Sequence, residues 1–389
     1  MSEKTQKKYR YLLMLGHMFT DINQGALPAI IPFLIIEQHL SYAAAASLVL
    51  AANLVSSFIQ PLVGYLGDKK SRPWFMAVGI FLAGLGVSLL GFSSSYWLSC
   101  IFAAISGIGI AMFHPEGGKI ANYVSGMNKG SGMSIFAVGG NLGFAIGPIL
   151  ASIALSIFGI KGSILLLVPA TLMSVVMLLF NSKLKSLTPN NQSHIIEETS
   201  ATVKDDWQSF SKVISLVFCR SIILYALTTF IPLFFISKFM VSESVANINL
   251  TVYSFVGIIS TLVGGQLADR FGLSRLIKFG FAILVPLLFL MLNVNNMNVT
   301  TILIVPISFA MNCSYGSLIA LSQSFVPNRI GLASGISLGL SVSIGGLFAP
   351  IIGLIGDKYG LMVGMYVILA FALLAFILTF IIPKEDTLL

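Results

Sequence analysis

Twelve long apolar segments follow one another along the chain and restrict the folds that it can adopt. A bilayer core about 30 Å thick needs about 20 apolar residues per helix, and each segment is close to that length or longer. The segments lack the alternation of polar and apolar residues that membrane β-strands show. The sequence therefore predicts an all-α membrane protein with twelve transmembrane helices at residues 11–36, 42–66, 73–92, 97–123, 130–158, 163–182, 212–240, 247–268, 275–293, 299–325, 330–356 and 361–382.

The composition supports a membrane protein and excludes several other classes. Hydrophobic residues make up 56% of the 389 positions and charged residues only 9%, a balance that soluble domains of this length do not show. The three cysteines fall within apolar segments, so we expect no disulfide framework. The sequence shows no phosphate-binding loop, dinucleotide-binding loop, nucleophile triad or metal cluster. We therefore expect no enzymatic activity, no cofactor and no metal.

The basic residues indicate the orientation of the chain in the membrane. Of the 22 Lys and Arg residues, only Lys161, Lys238 and Lys358 lie on the predicted outer side, and Arg220 lies within a span. The other 18 lie on the opposite side, as the positive-inside rule predicts for cytoplasmic segments. The sequence predicts a multi-pass protein of a bacterial-type inner membrane with both termini in the cytoplasm. This distribution explains the net charge of +8 without a nucleic-acid partner.

The second half of the chain repeats landmarks of the first. The segment GYLGDKKSR corresponds to GQLADRFGLSR, so that Asp68 and Asp269 lie 201 positions apart, and Pro148 and Pro350 show nearly the same offset. A shared offset indicates a duplicated six-helix unit in one orientation, the parallel repeat of many secondary transporters. The predicted organisation is a six-helix bundle at residues 1–182, a cytoplasmic linker at 183–211 and a second six-helix bundle at 212–389.

The repeated segment has the pattern G-x-L-x-D-[RK], which resembles the signature loop of the major facilitator superfamily. Its glycine allows backbones to approach closely, and its carboxylate can accept hydrogen bonds at a helix N-terminus. The resemblance implies a conformational latch in which Asp68 binds span eleven and Asp269 binds span five. The alternative is a basic loop that only maintains the orientation. The predicted latch residues are Gly64, Asp68, Lys69, Arg72, Gly265, Asp269 and Arg270.

Four segments resemble the fosmidomycin-resistance branch of that superfamily more closely: GHMFTD, QPLVGYLGDK, FHPEGGKIA and VGGNLGFAIGP. The resemblance covers most of the N-terminal half, and the C-terminal half mainly through the repeated loop. It implies the major facilitator fold, with two pseudo-symmetric six-helix bundles, and proton-driven export of a drug such as a phosphonate antibiotic.

The segment GFAIGP resembles the G-x-x-x-G-P motif that antiporters carry in span five. Its matching residues are Gly143, Gly147 and Pro148. Ala151 and Ser152 stand where that motif prefers paired glycines. The alternative is a helix-packing seam of small residues that Pro148 kinks.

Five ionisable residues lie well inside the predicted spans: His17, Asp21, His114, Glu116 and Arg220. A charge at the centre of a span costs about 2.5–3.5 kcal/mol on insertion scales, so such residues are rarely without a function. They fall on spans one, four and seven, and the resemblance implies that these spans line the central cavity. His17 and Asp21 share one helical face and can exchange a proton. We predict that His17, Asp21, His114 and Glu116 couple transport to protons.

Structural roles are the alternatives for several of these residues. His17 could donate to a backbone carbonyl, His114 could satisfy a carbonyl that Pro115 frees, and Glu116 could pair with Lys119. The Arg220 guanidinium stays charged and therefore suits an anionic substrate or a carboxylate. The predicted substrate-binding residues are Arg220, Gln24, Asn141, Tyr315 and Asn312.

These features favour a secondary active transporter. The leading hypothesis is a proton-coupled antiporter that exports small drug-like or anionic compounds by alternating access. The alternative is a proton-coupled symporter that takes up a small organic nutrient. A transporter-like sensor or membrane enzyme is a distant alternative, because neither an appended soluble domain nor a catalytic cluster is visible. The expected partners are a small-molecule substrate, protons and the lipid bilayer, and we expect a monomer.

Overall fold

The computed structural model describes residues 3–188 and 204–383. In these residues the backbone forms helices joined by short loops, with no β-strand. The α-helices are α1 (Glu3–Gln38), α2 (Tyr42–Lys69), α3 (Trp74–Leu89), α4 (Tyr96–Ser125), α5 (Lys129–Phe158), α6 (Leu167–Ser186), α7 (Trp207–Phe239), α8 (Glu243–Phe271), α9 (Leu273–Asn293), α10 (Met297–Asn312), α11 (Tyr315–Phe325), α12 (Ile330–Ser334), α13 (Ser341–Tyr359) and α14 (Leu361–Leu378).

Twelve helical segments within the described ranges are long and apolar enough to cross a bilayer. The tenth, Met297–Phe325, consists of α10 and α11. The eleventh, Ile330–Tyr359, contains α12, a π-helical turn at Gly335–Leu340 and α13. The prediction of an all-α membrane protein with twelve spanning helices is therefore confirmed.

Several helices extend beyond their predicted ends. Helix α1 begins at Glu3, α6 continues to Ser186 and α7 begins at Trp207, so both α6 and α7 enter the range 183–211 that the sequence assigned to the linker. The sequence criterion counted apolar residues, whereas charged residues near the membrane surface continue these helices. Residues 189–203 of the predicted linker lie outside the described residues.

The start of α7 has a clear local cause. Asp206 is the N-cap residue, and its carboxylate accepts a hydrogen bond from the Ser209 amide at 2.9 Å. An N-cap side chain satisfies one of the free amides in the first helical turn. The hydrogen bonds from Ser209 also hold the pKa of the Asp206 carboxyl below its usual value. Capping by Asp206 therefore begins the helix ahead of its apolar segment.

The first compact unit contains the described residues within 1–127, 135–205 and 327–340. In this unit α4 packs against α1, α2 and α3. Ile30 of α1 and Leu48 of α2 are fully buried in its apolar core. This packing places polar residues of α1 beside polar residues of α4.

The second compact unit contains the described residues within 128–134, 206–326 and 341–389. Helix α7 packs against α8, α13 and α14, and α10 packs against α8 and α9. Phe234 and Phe235 of α7 are fully buried in this unit. The arrangement brings polar residues of α7, α8, α10 and α11 together.

Candidate functional site

Three ionisable side chains meet inside the first unit: His17 and Asp21 of α1 and His114 of α4. Their exposed fractions are 4%, 3% and 5%. Nε2 of His114 lies 3.0 Å from Nε2 of His17 and 3.1 Å from Oδ1 of Asp21. Nε2 of His17 lies 3.3 Å from Oδ2 of Asp21. We call these three residues the His–Asp–His cluster.

Helix geometry accounts for the assembly of this cluster. His17 and Asp21 are four residues apart and therefore share one face of α1. Gly140 lets α5 approach that face, because a Cβ atom on Gly140 would lie 2.7 Å from Nε2 of His17 and 2.8 Å from Oδ2 of Asp21. A side chain at position 140 would therefore displace the cluster.

The hydrogen bonds of the His–Asp–His cluster indicate where an additional proton can bind. Nδ1 of His17 donates to the carbonyl oxygen of Phe136 at 2.7 Å, since a carbonyl can only accept. A neutral His17 then presents an unprotonated Nε2 toward Asp21 and His114. A proton on Nε2 of His114 points to Nε2 of His17, whereas Oδ1 of Asp21 has no hydrogen-bond partner. The contact between His17 and Asp21 still joins two acceptors. One additional proton, on His17 or on Asp21, converts that contact into a hydrogen bond.

The His–Asp–His cluster is also the group of described residues that could hold a metal ion. Each residue offers one ligand atom, and these atoms lie within 4.8 Å of one another. The sequence did not indicate this group, because His114 is distant along the chain from His17 and Asp21. Separations of 3.0–3.3 Å are also hydrogen-bond distances, so the same atoms are close enough to share a proton.

Glu116 lies apart from the cluster, at the loop that follows α2. Its Oε1 accepts hydrogen bonds from the hydroxyl of Ser71 at 2.6 Å and the amide of Arg72 at 2.9 Å. Its Oε2 forms an ion pair with Nζ of Lys119 at 2.8 Å, and Nζ of Lys119 also donates to the carbonyl of Gly67 at 2.7 Å. Both charged side chains are buried. Glu116 therefore holds the loop that follows Asp68.

The first predicted latch residue, Asp68, binds the start of α12. Its two carboxylate oxygens accept hydrogen bonds from the amides of Gly331 at 2.7 Å and Leu332 at 2.9 Å. A carboxylate is favoured at a helix N-terminus, where amides lack intrahelical partners. Gly64 lies against the backbone of Gly331, and a Cβ atom there would collide with the Gly331 carbonyl oxygen.

The second predicted latch residue, Asp269, makes the equivalent contact in the second unit. Its carboxylate accepts hydrogen bonds from the amides of Gly130 at 2.8 Å and Ser131 at 3.0 Å, at the start of α5. Gly265 lies against Ser134 in the same contact. The basic latch residues contact aromatic rings: Lys69 with Tyr65, Arg72 with Phe75, and Arg270 with Phe271.

Arg220 of α7 is buried in the second unit, with 4% of its surface exposed. Its Nη2 donates to Oδ1 of Asn312 at 3.3 Å, and its guanidinium carbon lies 4.0 Å from the ring centre of Tyr315. The structure therefore brings these three predicted substrate-binding residues together. Tyr253 of α8 is a fourth member, buried beside Asn312. The sequence reasoning missed Tyr253, whose only signal is a phenol within an apolar span.

The other two predicted substrate-binding residues lie in the first unit. Gln24 donates to Oδ1 of Asn53 at 3.2 Å and so connects α1 with α2. Asn141 is half-buried on α5. The predicted packing motif lies further along α5, where Gly143 and Gly147 face the backbone of α1 too closely for any Cβ atom, and Pro148 lies inside the helix.

The chain is similar to families and proteins of known type. The sequence model of the Major Facilitator Superfamily matches residues 13–350 and, in a second match, residues 213–388. The chain is 30% identical over 379 residues to the Fosmidomycin resistance protein of Escherichia coli (strain K12), with 96% of this chain and 92% of that protein covered. It is also 30% identical to the uncharacterized MFS-type transporter YfnC of Bacillus subtilis (strain 168), with 100% of this chain and 97% of that protein covered.

Solved structures of transporters share this fold. The outward-conformation crystal structure of FucP, a Major Facilitator Superfamily transporter, superimposes with a TM-score of 0.75 and 16% identity over 98% of this chain and 99% of that chain. The proton:xylose symporter XylE superimposes with a TM-score of 0.74 and 16% identity over 99% of this chain and 97% of that chain. The predicted major facilitator fold is therefore confirmed.

Proposed function

Because the chain belongs to the major facilitator superfamily, it is a multi-pass membrane transporter of small molecules and not an enzyme, and we propose that it is a proton-coupled antiporter. In this proposal it exports drug-like or anionic compounds by alternating access. It works as a monomer in a bacterial inner membrane, with both termini in the cytoplasm. The His–Asp–His cluster is the observation that carries the proposal.

The cluster supports proton coupling because it has a protonated and a deprotonated form with different contacts. With the extra proton, the contact of 3.3 Å between Nε2 of His17 and Oδ2 of Asp21 joins a donor to an acceptor. Without it, two acceptors face each other in a buried site, which is unfavourable. Protonation therefore changes both the charge and the local contacts inside a span. A proton that binds two conformations with different affinity shifts the equilibrium between them.

The carboxylates of Asp68 and Asp269 provide the proposed latch. Each accepts two backbone hydrogen bonds at the start of a helix. Such contacts are strong enough to favour one state and weak enough to break, because hydrogen bonds to charged groups contribute about 1.5–3 kcal/mol each. We propose that these contacts break and form again as access alternates.

Two observations support an exported, partly anionic substrate. The relative that is 30% identical over 96% of this chain is named a fosmidomycin resistance protein, and resistance is compatible with efflux. Arg220 supplies a permanent positive charge in the second unit, beside Asn312 and Tyr315. In the proposed antiport, the first unit therefore binds protons and the second unit binds the negatively charged group of the substrate.

Inside-out membrane vesicles with an acidified lumen test this proposal, with labelled fosmidomycin as the probe. The lumen corresponds to the cell exterior, so an antiporter accumulates the probe there as protons leave, whereas a symporter carries the probe out of the lumen with protons. Asp21→Asn is expected to abolish gradient-driven accumulation and to retain exchange of labelled for unlabelled probe. Asp357→Asn, an exposed carboxylate on α13, is the matched control. If Asp21→Asn accumulates the probe at the wild-type rate with unchanged pH dependence, the proton role is wrong.

A further inference from the structure

Arg220 carries a buried charge that its described neighbours do not neutralise. Arginine remains protonated in proteins. Its observed contacts are a long hydrogen bond to the Asn312 side chain and the ring face of Tyr315, both neutral. No ion pair among the described residues includes Arg220. Because an unpaired buried charge is unfavourable, a negatively charged group bound at Arg220 would stabilise this site.

The group formed by Arg220, Asn312, Tyr315 and Tyr253 contains two buried donors that donate to no described residue. They are Nε of Arg220 and the hydroxyl of Tyr253. The exposed fraction of Tyr253 is 1%. A hydrogen bond from the Ser308 hydroxyl to the backbone carbonyl of Tyr253 holds α8 against α10 at this point. Buried donors are normally paired, so an unpaired donor on the cation and a second one beside it point to a missing acceptor.

The surroundings of Arg220 restrict how an acceptor can approach it. The guanidinium carbon of Arg220 lies over the ring of Tyr315, 4.0 Å from its centre. Nδ2 of Asn312 donates to the carbonyl of Ser308 at 3.0 Å, and this bond orients Oδ1 of Asn312 toward Arg220. The guanidinium edge that carries Nε makes no hydrogen bond through that atom. Oxygen atoms of a planar or tetrahedral oxyanion bind such an edge well.

We propose that Arg220 and Tyr253 form a receptor for one singly charged oxyanion group, such as a carboxylate or a monoanionic phosphate or phosphonate. The guanidinium edge and the phenol donate to the anion, and Asn312 and Tyr315 position the guanidinium. A single negative charge fits because, among the described residues of the second unit, Arg220 is the only Lys or Arg that is buried. Tyr253 is then a specificity-determining residue. The inference rests on the proposed function only where it makes this anion part of the exported substrate.

The variant Tyr253→Phe separates a binding role from a structural one. A buried hydroxyl without a partner destabilises the folded protein, so its removal is expected to leave the melting temperature unchanged or higher. The same change removes one donor to a charged acceptor, so the affinity for the anion is expected to fall by about 10- to 100-fold. If Tyr253 had only a structural role, Tyr253→Phe would not combine an unchanged or higher melting temperature with weaker anion binding.

The experiment measures thermal stabilisation of the purified full chain in nanodiscs at pH 7. The probes are benzoate, its neutral analogue benzamide and the dianion phthalate. In the wild type, benzoate is expected to raise the melting temperature more than benzamide, and phthalate is expected to bind no more tightly than benzoate. Tyr253→Phe should weaken benzoate binding by about tenfold or more, and Arg220→Gln should abolish the preference for benzoate. Tyr366→Phe, whose hydroxyl bonds Asn293 elsewhere in the second unit, is the matched control.

The outcomes are separable from those of the vesicle assay, because binding needs no pH gradient. If benzoate stabilises the wild type no more than benzamide, or binds Tyr253→Phe as tightly as the wild type, the receptor is wrong. If phthalate binds more tightly than benzoate, the assignment of a single charge is wrong. If Arg220→Gln fails to fold, the comparison of Tyr253→Phe with Tyr366→Phe still decides. Failure of proton-driven accumulation alone contradicts the antiport proposal and leaves the receptor intact.

Discussion

Asp68→Asn tests whether the carboxylate of Asp68 stabilises the start of α12. In the wild type, this carboxylate accepts two hydrogen bonds, from the amides of Gly331 at 2.7 Å and Leu332 at 2.9 Å. An asparagine side chain has a single acceptor oxygen and no charge. The variant therefore replaces two charge-assisted hydrogen bonds by one neutral hydrogen bond, while the size of the side chain is almost unchanged.

The expected magnitude follows from these bonds. Hydrogen bonds to charged groups contribute about 1.5–3 kcal/mol each, and neutral ones about 0.5–1.5 kcal/mol. Asp68 is partly exposed, so the lower part of the range applies and the loss is about 2 kcal/mol. A loss of that size changes the equilibrium between the closed and open contact by about 30-fold. The amides of Gly331 and Leu332 should then exchange hydrogen for deuterium about 30-fold faster.

Hydrogen–deuterium exchange of the protein in nanodiscs measures this change directly, with mass spectrometry of peptides that cover residues 331 and 332. Asp269→Asn is the matched control, since it should accelerate exchange at Gly130 and Ser131 and leave residues 331 and 332 unchanged. Asp269 is exposed, so its effect should be smaller. Exchange at residues 331 and 332 that stays within about threefold of the wild type in Asp68→Asn would refute the reasoning.

Two further variants test the neighbouring contacts. Glu116→Gln leaves the buried Lys119 without its carboxylate, so we expect the free energy of unfolding to fall by about 3–5 kcal/mol in thermal or denaturant unfolding. Proton-driven transport by the protein that remains folded should keep its pH dependence. A changed pH dependence with wild-type stability would instead make Glu116 a proton carrier. Gly64→Ala should lower the melting temperature, because the new methyl group meets the Gly331 carbonyl and overpacking costs about 1–3 kcal/mol. Gly346→Ala, where a Cβ atom meets nothing within 4 Å, is its control and should be neutral or stabilising, so equal effects at positions 64 and 346 would contradict the close contact.

The fold could be predicted from the sequence because bilayer thickness sets helix length and the chain repeats itself. Both signals are local in sequence or depend on a constant offset, as for Asp68 and Asp269. The helix ends were harder to predict, since charged residues continue helices past the apolar core. The N-cap of α7 at Asp206 shows that one side chain can decide where a helix starts. The π-helical turn at Gly335–Leu340 had no signal in the apolar pattern.

The candidate site was predictable only in part. The spacing of His17 and Asp21 places them on one helical face, so their contact follows from sequence. The contact of His114 with both requires the packing of α4 on α1, which no local pattern encodes. Tyr253 shows the same limit, because an isolated phenol in a span becomes informative only when its hydroxyl is seen unpaired beside a buried cation.

The two halves share a fold but differ in their buried polar residues, and the repeat offset identifies equivalent positions at which they differ. His114 and Tyr315 lie 201 positions apart, the same offset as the two latch aspartates. Each contacts a buried charged residue of its unit. His114 lies 3.1 Å from Asp21, and the ring centre of Tyr315 lies 4.0 Å from the guanidinium carbon of Arg220. An imidazole beside a carboxylate can gain and lose a proton, whereas a phenol ring beside a guanidinium keeps a permanent charge in place. Duplication therefore accounts for the matched contacts of Asp68 and Asp269, and substitution at equivalent positions accounts for the two roles that we propose, proton binding in the first unit and anion binding in the second.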